Sequence, residues 1–410
     1  MVDFISWLTQ PANLIDVSLA IIFAIFTIWF LVKNKKNVSL EKIFFPVLYA
    51  FLYRGNFGIK WMEKTAKKYK EAIILFGYIS IGIGFVGMFA AVLLLLYVAY
   101  QLVFTPAAAS VAPFLPFVEV PVLGYISFSH WIITIFVIVL IHEGAHGLVA
   151  LAHGLKVKKT GFGAFAIFVP FLPAAFVEPD DKKIGKASDV IQHSIFAAGP
   201  MSNFVLMIPL ILIFLLALNP IEGAITQQDG FTFDILENET YPAYVAGLND
   251  STIFNSLNGE SVETIDDFYG QLVWMSPGQN LTLGYNDEYN YTLTLIANPA
   301  DPASGFLGVT NLRNNLEIKD AYLGFAPYFS WFKGLMLLML EITFSLGIIN
   351  LFPASITDGG RMFTLALDRI SKNKNLNKKL VGGFALFFII IIFFSLITYF
   401  TGNPFVLFFG

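Results

Sequence analysis

The sequence predicts an α-helical polytopic membrane protein with about six transmembrane helices and one small α/β insert outside the bilayer. Three observations carry that prediction. Of the 410 residues, 56% are hydrophobic and 13% charged, and the mean hydropathy is +0.70; a soluble domain is roughly 25% charged. Six apolar segments are long enough to cross a bilayer. Between the fourth and the fifth, the composition turns to Asn, Asp, Thr and Gly.

A span needs about 20 mostly apolar residues. The six run approximately over Leu14–Val32, Ala72–Tyr100, Trp131–Leu151, Val190–Leu218, Phe329–Phe352 and Leu380–Phe400. The first is longer than a signal-peptide core and is followed by no small-residue cleavage site, so it reads as a retained span. The second carries Gly77, Gly82, Gly84 and Gly87, which permit tilt or close helix contact.

Basic residues sort to one side. All of the 25 lysines and arginines except Arg313, Lys319 and Lys333 fall in the connections after the first, third and fifth spans. By the positive-inside rule those connections are cytoplasmic, in a multi-pass protein of the cell membrane. Both termini and the insert are then extracytoplasmic. No basic patch is interleaved with aromatics, so nucleic acid is not an expected partner. The absence of cysteine excludes disulfides, cysteine-ligated metals and thiol catalysis.

Two connections have character of their own. The apolar stretch from Gly161 to Pro170 is too short and broken to span. It reads equally as a strand or re-entrant hairpin dipping toward the membrane, or as an amphipathic surface loop. The insert, 219–327, shows alternating strand patterns at Phe231–Leu236, Thr252–Leu257, Asn280–Tyr285 and Tyr289–Ile296. Asn258-Gly259 and Asn286-Asp287 are turn signals, and Thr264–Met275 reads as one short amphipathic helix. Four glycosylation-type triplets, beginning at Asn238, Asn249, Asn280 and Asn290, agree with an outside location.

The third span contains His142-Glu143-Gly144-Ala145-His146, an H-E-x-x-H pattern. Residues four apart share a helix face, so both imidazoles can reach one metal. The glutamate between them can take a proton from a water that the metal activates. Ionisable groups within a span are costly and usually functional. A catalytic zinc takes three protein ligands. Candidates for the third are His130, His153, His193, Glu341 and Asp358. Asp358 is the best placed: it follows the fifth span, where Pro353 should break the helix and Gly359-Gly360 allow tight backbone. His146 lies ten residues before Lys156, about 15 Å at helical rise, so the metal sits in the half of the membrane that Asp358 reaches. Glu341 reads as a buried carboxylate of helix packing, and His193 as an interfacial histidine.

H-E-x-x-H in one span with Asn350-Leu351-Phe352-Pro353, and Asp358-Gly359 beyond it, resembles the signature pair of the site-2 proteases, the intramembrane zinc metalloproteases. Gly161-Phe162-Gly163 with Ala175-Phe176-Val177 resembles the connector of that family's sterol-regulatory branch. Ala198-Gly199-Pro200-Met201-Ser202-Asn203 matches its A-G-P-x-x-N element. Tyr241 to Leu248, Ile253 to Gly259 and Asp266-Asp267-Phe268 resemble a PDZ domain, which family members often carry there. The resemblance covers Trp131 to Arg361. One departure is Thr357, where the family usually has leucine before the aspartate.

The resemblance implies zinc held by His142, His146 and Asp358, with Glu143 as general base and no further cofactor. Asn350 and Asn203 are similar to the family's polar residues near the active site and would hydrogen-bond an unwound substrate backbone; for Asn203, interhelical hydrogen bonding is the equal alternative. The implied organisation is two N-terminal spans (1–130), a first core half (131–218), the PDZ-like domain (219–327), and a second core half with the last span (328–410). The implied activity is cleavage in or near the transmembrane segment of membrane-tethered proteins, toward the cytoplasmic side. The PDZ-like domain would bind a peptide or C-terminus, or filter substrates by size. The contrasting reading is a non-catalytic scaffold that binds peptides through the insert. An intact Glu143 argues against it.

Overall fold

The computed structural model describes residues 11–44, 48–104, 114–120, 124–166, 170–250, 252–285 and 289–401. In chain order its main elements begin with α1 (Pro11–Lys33), β1 (Val38–Phe44), β2 (Leu48–Gly55), α2 (Ile59–Lys68), α3 (Lys70–Phe104) and α4 (Phe128–Ala152). They continue with β3 (Val157–Ala166), β4 (Pro170–Pro179), α5 (Asp189–Ile213), β5 (Thr226–Ile235), α6 (Ile265–Leu272), β6 (Asn280–Tyr285) and β7 (Tyr289–Thr294). The chain closes with β8 (Val309–Ile318), α7 (Ala326–Leu351), α8 (Asp358–Ile370) and α9 (Lys374–Thr401).

Six helices among the described residues are long and apolar enough to cross a membrane. They are α1, α3, α4, α7, α9, and α5 prolonged through a π-helical turn to Ile225. The protein is therefore a multi-pass integral membrane protein, mostly helical. The helices form because unbroken apolar runs must satisfy every backbone group internally. Their ends are marked in the sequence. Ser127 caps α4, its hydroxyl accepting from His130 N at 3.2 Å. Gly154, with φ of 79°, follows its last turn.

The chain divides into two compact units, Met1–Ile213 with Phe332–Gly410, and Phe214–Trp331. In the first unit α3 packs on α5 through small residues. Gly77 meets Val149 and Ser194, and Gly84 meets Ala197 and Met362, which is the close contact its glycines permit.

The stretch from Gly161 forms the hairpin β3–β4, whose turn, 167–169, lies outside the described residues. It belongs to a four-stranded antiparallel sheet in the order β1–β2–β3–β4. Strands β1 and β2 went unread in the sequence because each is short and a strand pair is defined by its partner. Their pairing with β3 joins the connection after the first span to the one after the third, two segments expected on the same side. Arg54 on β2 ties three strands together. It bonds Glu178 on β4 at 2.7 Å, Glu41 on β1 at 2.6 Å, and Ser39. Its partner across the ladder is Gly161, which has no side chain to block the reach to β4.

The second unit buries Phe231, Phe233, Phe254 and Phe268 with Leu257, Leu281 and Leu283. Strands β6 and β7 follow the expected segments. The expected helix is shorter, Ile265–Leu272, fixed by a capping box between Thr264 and Asp267. Asn286-Asp287 lies outside the described residues. The ribbon of β5 with β8 was unexpected on its second strand, because Val309–Ile318 is mostly polar.

Candidate active site

Helix α4 places His142 and His146 one turn apart and buried, ring centroids 4.9 Å from each other. Helix α7 ends at Leu351, and the chain turns back through Pro353 into α8, whose first residue is Asp358. A Cβ on Gly359 would overlap the backbone of Leu351, and one on Gly360 the carbonyl of Ala354. Only glycine lets the turn close this tightly. Thr357 is the N-cap of α8. Its hydroxyl accepts from Gly360 N at 3.1 Å and donates to Ala354 O at 2.9 Å. The departure from leucine at this position thus supplies a helix cap.

The turn delivers Asp358 to both imidazoles. Asp358 Oδ2 lies 3.0 Å from His142 Nε2 and 3.2 Å from His146 Nε2, and the two nitrogens are 3.2 Å apart. Ligands 2.0–2.2 Å from a tetrahedral zinc are about 3.3–3.5 Å from one another, so this triangle fits the ion to within a few tenths of an ångström. His146 Nδ1 donates to Ile195 O at 2.6 Å, which turns the Nε2 lone pair toward the other donors. Burial pushes the Asp358 carboxyl up, but the His146 charge and hydrogen bonds from both imidazoles outweigh it. In the metal-free protein the carboxyl is thereby held below the usual carboxylate range; a bound metal would take the place of the imidazole protons and keep it ionised. Gly199 of α5 packs against both rings; any side chain there would overlap them.

Glu143 is one residue on from His142, about 100° around the helix, and points toward the sheet instead. Its Oε2 accepts from Val177 N of β4 at 3.3 Å. A cavity of about 240 Å³ holds His142, Glu143, His146, Asp358 and Asn350 together, with Arg361 in its lining. Arg361 is a residue that the sequence reading counted only as a topological charge; its place one turn after Asp358 was the available signal. Asn203 does not line this cavity. It is fully buried, one turn beyond Gly199 on α5, with both side-chain polar atoms unpartnered among the described residues.

The other candidate ligands lie elsewhere. His130 bonds Ser127 at the far end of α4, with Nδ1 and Oγ 2.7 Å apart. His153 caps the near end of α4, its Nε2 3.2 Å from Ser194 Oγ. His193 packs edge-on against Phe85. Glu341 is half-buried within α7 and outside the cavity.

The model of peptidase family M50 matches residues 130–395. An uncharacterized protein of Methanocaldococcus jannaschii is 24% identical over 366 residues, 88% of each chain. The zinc metalloprotease RasP of Shouchella clausii is 24% identical over 243 residues, 48% of this chain and 56% of that protein. With a membrane-embedded H-E-x-x-H helix and an aspartate closing the donor triangle, this chain belongs to peptidase family M50, the intramembrane zinc metalloproteases of the site-2 protease type.

Proposed function

We propose that this protease cuts membrane-tethered proteins within or near their transmembrane segments, on the cytoplasmic side, with His142, His146 and Asp358 holding the zinc. The observation that carries the reading is the buried triangle of donor atoms, two of them on a helix of membrane-crossing length. When bound, zinc acidifies a water and polarises the scissile carbonyl. Glu143 takes the proton of that water and passes it to the leaving amine nitrogen, while the amide of Val177 fixes its carboxylate. Asn350, in the cavity lining, hydrogen-bonds the opened substrate backbone. Asn203, buried on α5 with both side-chain polar atoms unpartnered among the described residues, is the second candidate for that role.

A substrate helix must unwind before its carbonyl can be attacked. The edge of β4 supplies the replacement hydrogen bonds. It is the outer strand of its sheet, and its edge faces the site where Val177 N donates to Glu143, which leaves the other edge groups for the substrate. The lysine-rich connections set the orientation, with both termini and the insert outside. The test is cleavage of a transmembrane peptide by the purified protein in detergent, with the cut located by mass spectrometry. Cleavage abolished by a chelator and restored by zinc supports the reading. Chelator-resistant cleavage, or none, counts against it.

The insert is PDZ-like in this reading, with α6 beside antiparallel strands, and it selects substrates by peptide binding or by size. Deleting 219–327 should change which substrates are cut while leaving about one zinc per chain. Loss of zinc would make the insert structural instead.

A further inference from the structure

A second cavity, about 630 Å³, lies on the opposite face of α4 from the imidazoles. Leu140, Gly144 and Leu148 recur every fourth residue and form one wall. Trp61 and Met62 of α2 and Phe162 of β3 contribute others. Glu143 and Val177 line this cavity and the metal-side cavity alike, so a peptide held at Glu143 reaches both. The polar groups at its edge are already engaged. Thr160 Oγ1 donates to Phe57 O, and Ser202 Oγ to Gly199 O, each at 2.6 Å. Glu143 and the Trp61 indole N–H apart, the lining side chains are apolar or already hydrogen-bonded, and an unpaired buried polar group is costly. Helix α2 lies before residue 130, outside the stretch matched to the family, so this wall is added by the chain's own N-terminal region.

We infer that this cavity is a specificity site that receives bulky apolar side chains flanking the scissile bond. The inference rests on the proteolytic reading above. Its volume lies within the roughly 300–1,000 Å³ typical of ligand sites and exceeds what one side chain needs. Aromatic or large aliphatic residues fill it; small ones leave it empty, and charged ones are rejected.

The test uses the full-length protein and synthetic transmembrane peptides that differ only in residues flanking the mapped cut, as Ala, Leu, Phe or Lys. The wild-type protein should cut the Phe peptide at least about tenfold more efficiently than the Ala peptide, the scale of filling an apolar pocket. Gly144→Leu and Leu148→Trp fill the cavity from α4. A Cβ on Gly144 meets nothing within 4 Å, so the first adds bulk into open space. Each should lower the Phe-to-Ala ratio about tenfold. Equal cleavage of the Ala and Phe peptides by the wild-type protein would overturn the inference. So would an unchanged ratio in both variants while zinc content stays at the wild-type level. If no peptide is cut in a chelator-sensitive manner, the proteolytic reading falls and the inference with it.

Discussion

Glu143→Gln is expected to retain about one zinc per chain while losing roughly 10³-fold or more in cleavage rate, within the range set by removing a general base. The substitution changes one carboxylate oxygen to an amide nitrogen and leaves the shape intact. Glutamine can still accept from Val177 N, as Glu143 does at 3.3 Å. None of the three converging donor atoms is touched. What disappears is a group able to accept a proton and return it. A thousandfold loss corresponds to about 4 kcal/mol of transition-state stabilisation. The measurement is single-turnover cleavage of a transmembrane peptide beside elemental zinc analysis of the same preparation. Retained cleavage with zinc in place would remove Glu143 from its assigned role. Zinc lost together with activity would mean that the glutamate contributes to holding the metal.

The second large effect concerns the metal itself. Asp358→Ala and His142→Ala should each reduce zinc from about one per chain to about a tenth or less after dialysis, because a site of three protein ligands reduced to two loses most of its affinity. In Asp358→Ala the two histidines remain one turn apart on α4, but the anionic ligand is gone and no other carboxylate of the cavity lies within the triangle. Both variants should remain folded, since α3, α4 and α5 pack chiefly through apolar side chains such as Phe76, Val149 and Ile195, and His142 adds only its contact with Gly199. Circular dichroism and monodispersity in detergent check this. Zinc kept by Asp358→Ala alone would point to Glu341 or His153 as the third ligand, against their placement outside the donor triangle.

Much of this arrangement was legible along the chain. The spans are visible because burial in lipid demands about 20 consecutive apolar residues, a local property of the sequence. H-E-x-x-H is legible because one helical turn sets the spacing of both imidazoles. The pairing of Asp358 with the histidines was legible only in part. Pro353 and Gly359-Gly360 announced a tight turn, but the meeting of residues some two hundred positions apart depends on how α8 folds back. Strands β1, β2 and β8 escaped notice for a physical reason. A strand pair is defined by its partner, and Val309–Ile318 has too few apolar residues to display a period on its own.

Composition and spacing alone determined that the chain crosses the membrane, carries no cysteine chemistry, and places two histidines and a glutamate on one membrane helix. Those follow from local hydrophobicity and helical geometry. Only the tertiary structure decided which carboxylate completes the triangle, that Thr357 caps the helix bearing it, and that the edge strand β4 contacts Glu143. It alone brought α2 into the wall of an apolar cavity beside the catalytic helix. Such features arise between segments distant in the chain, where close packing and hydrogen-bond satisfaction select one arrangement that no single segment encodes.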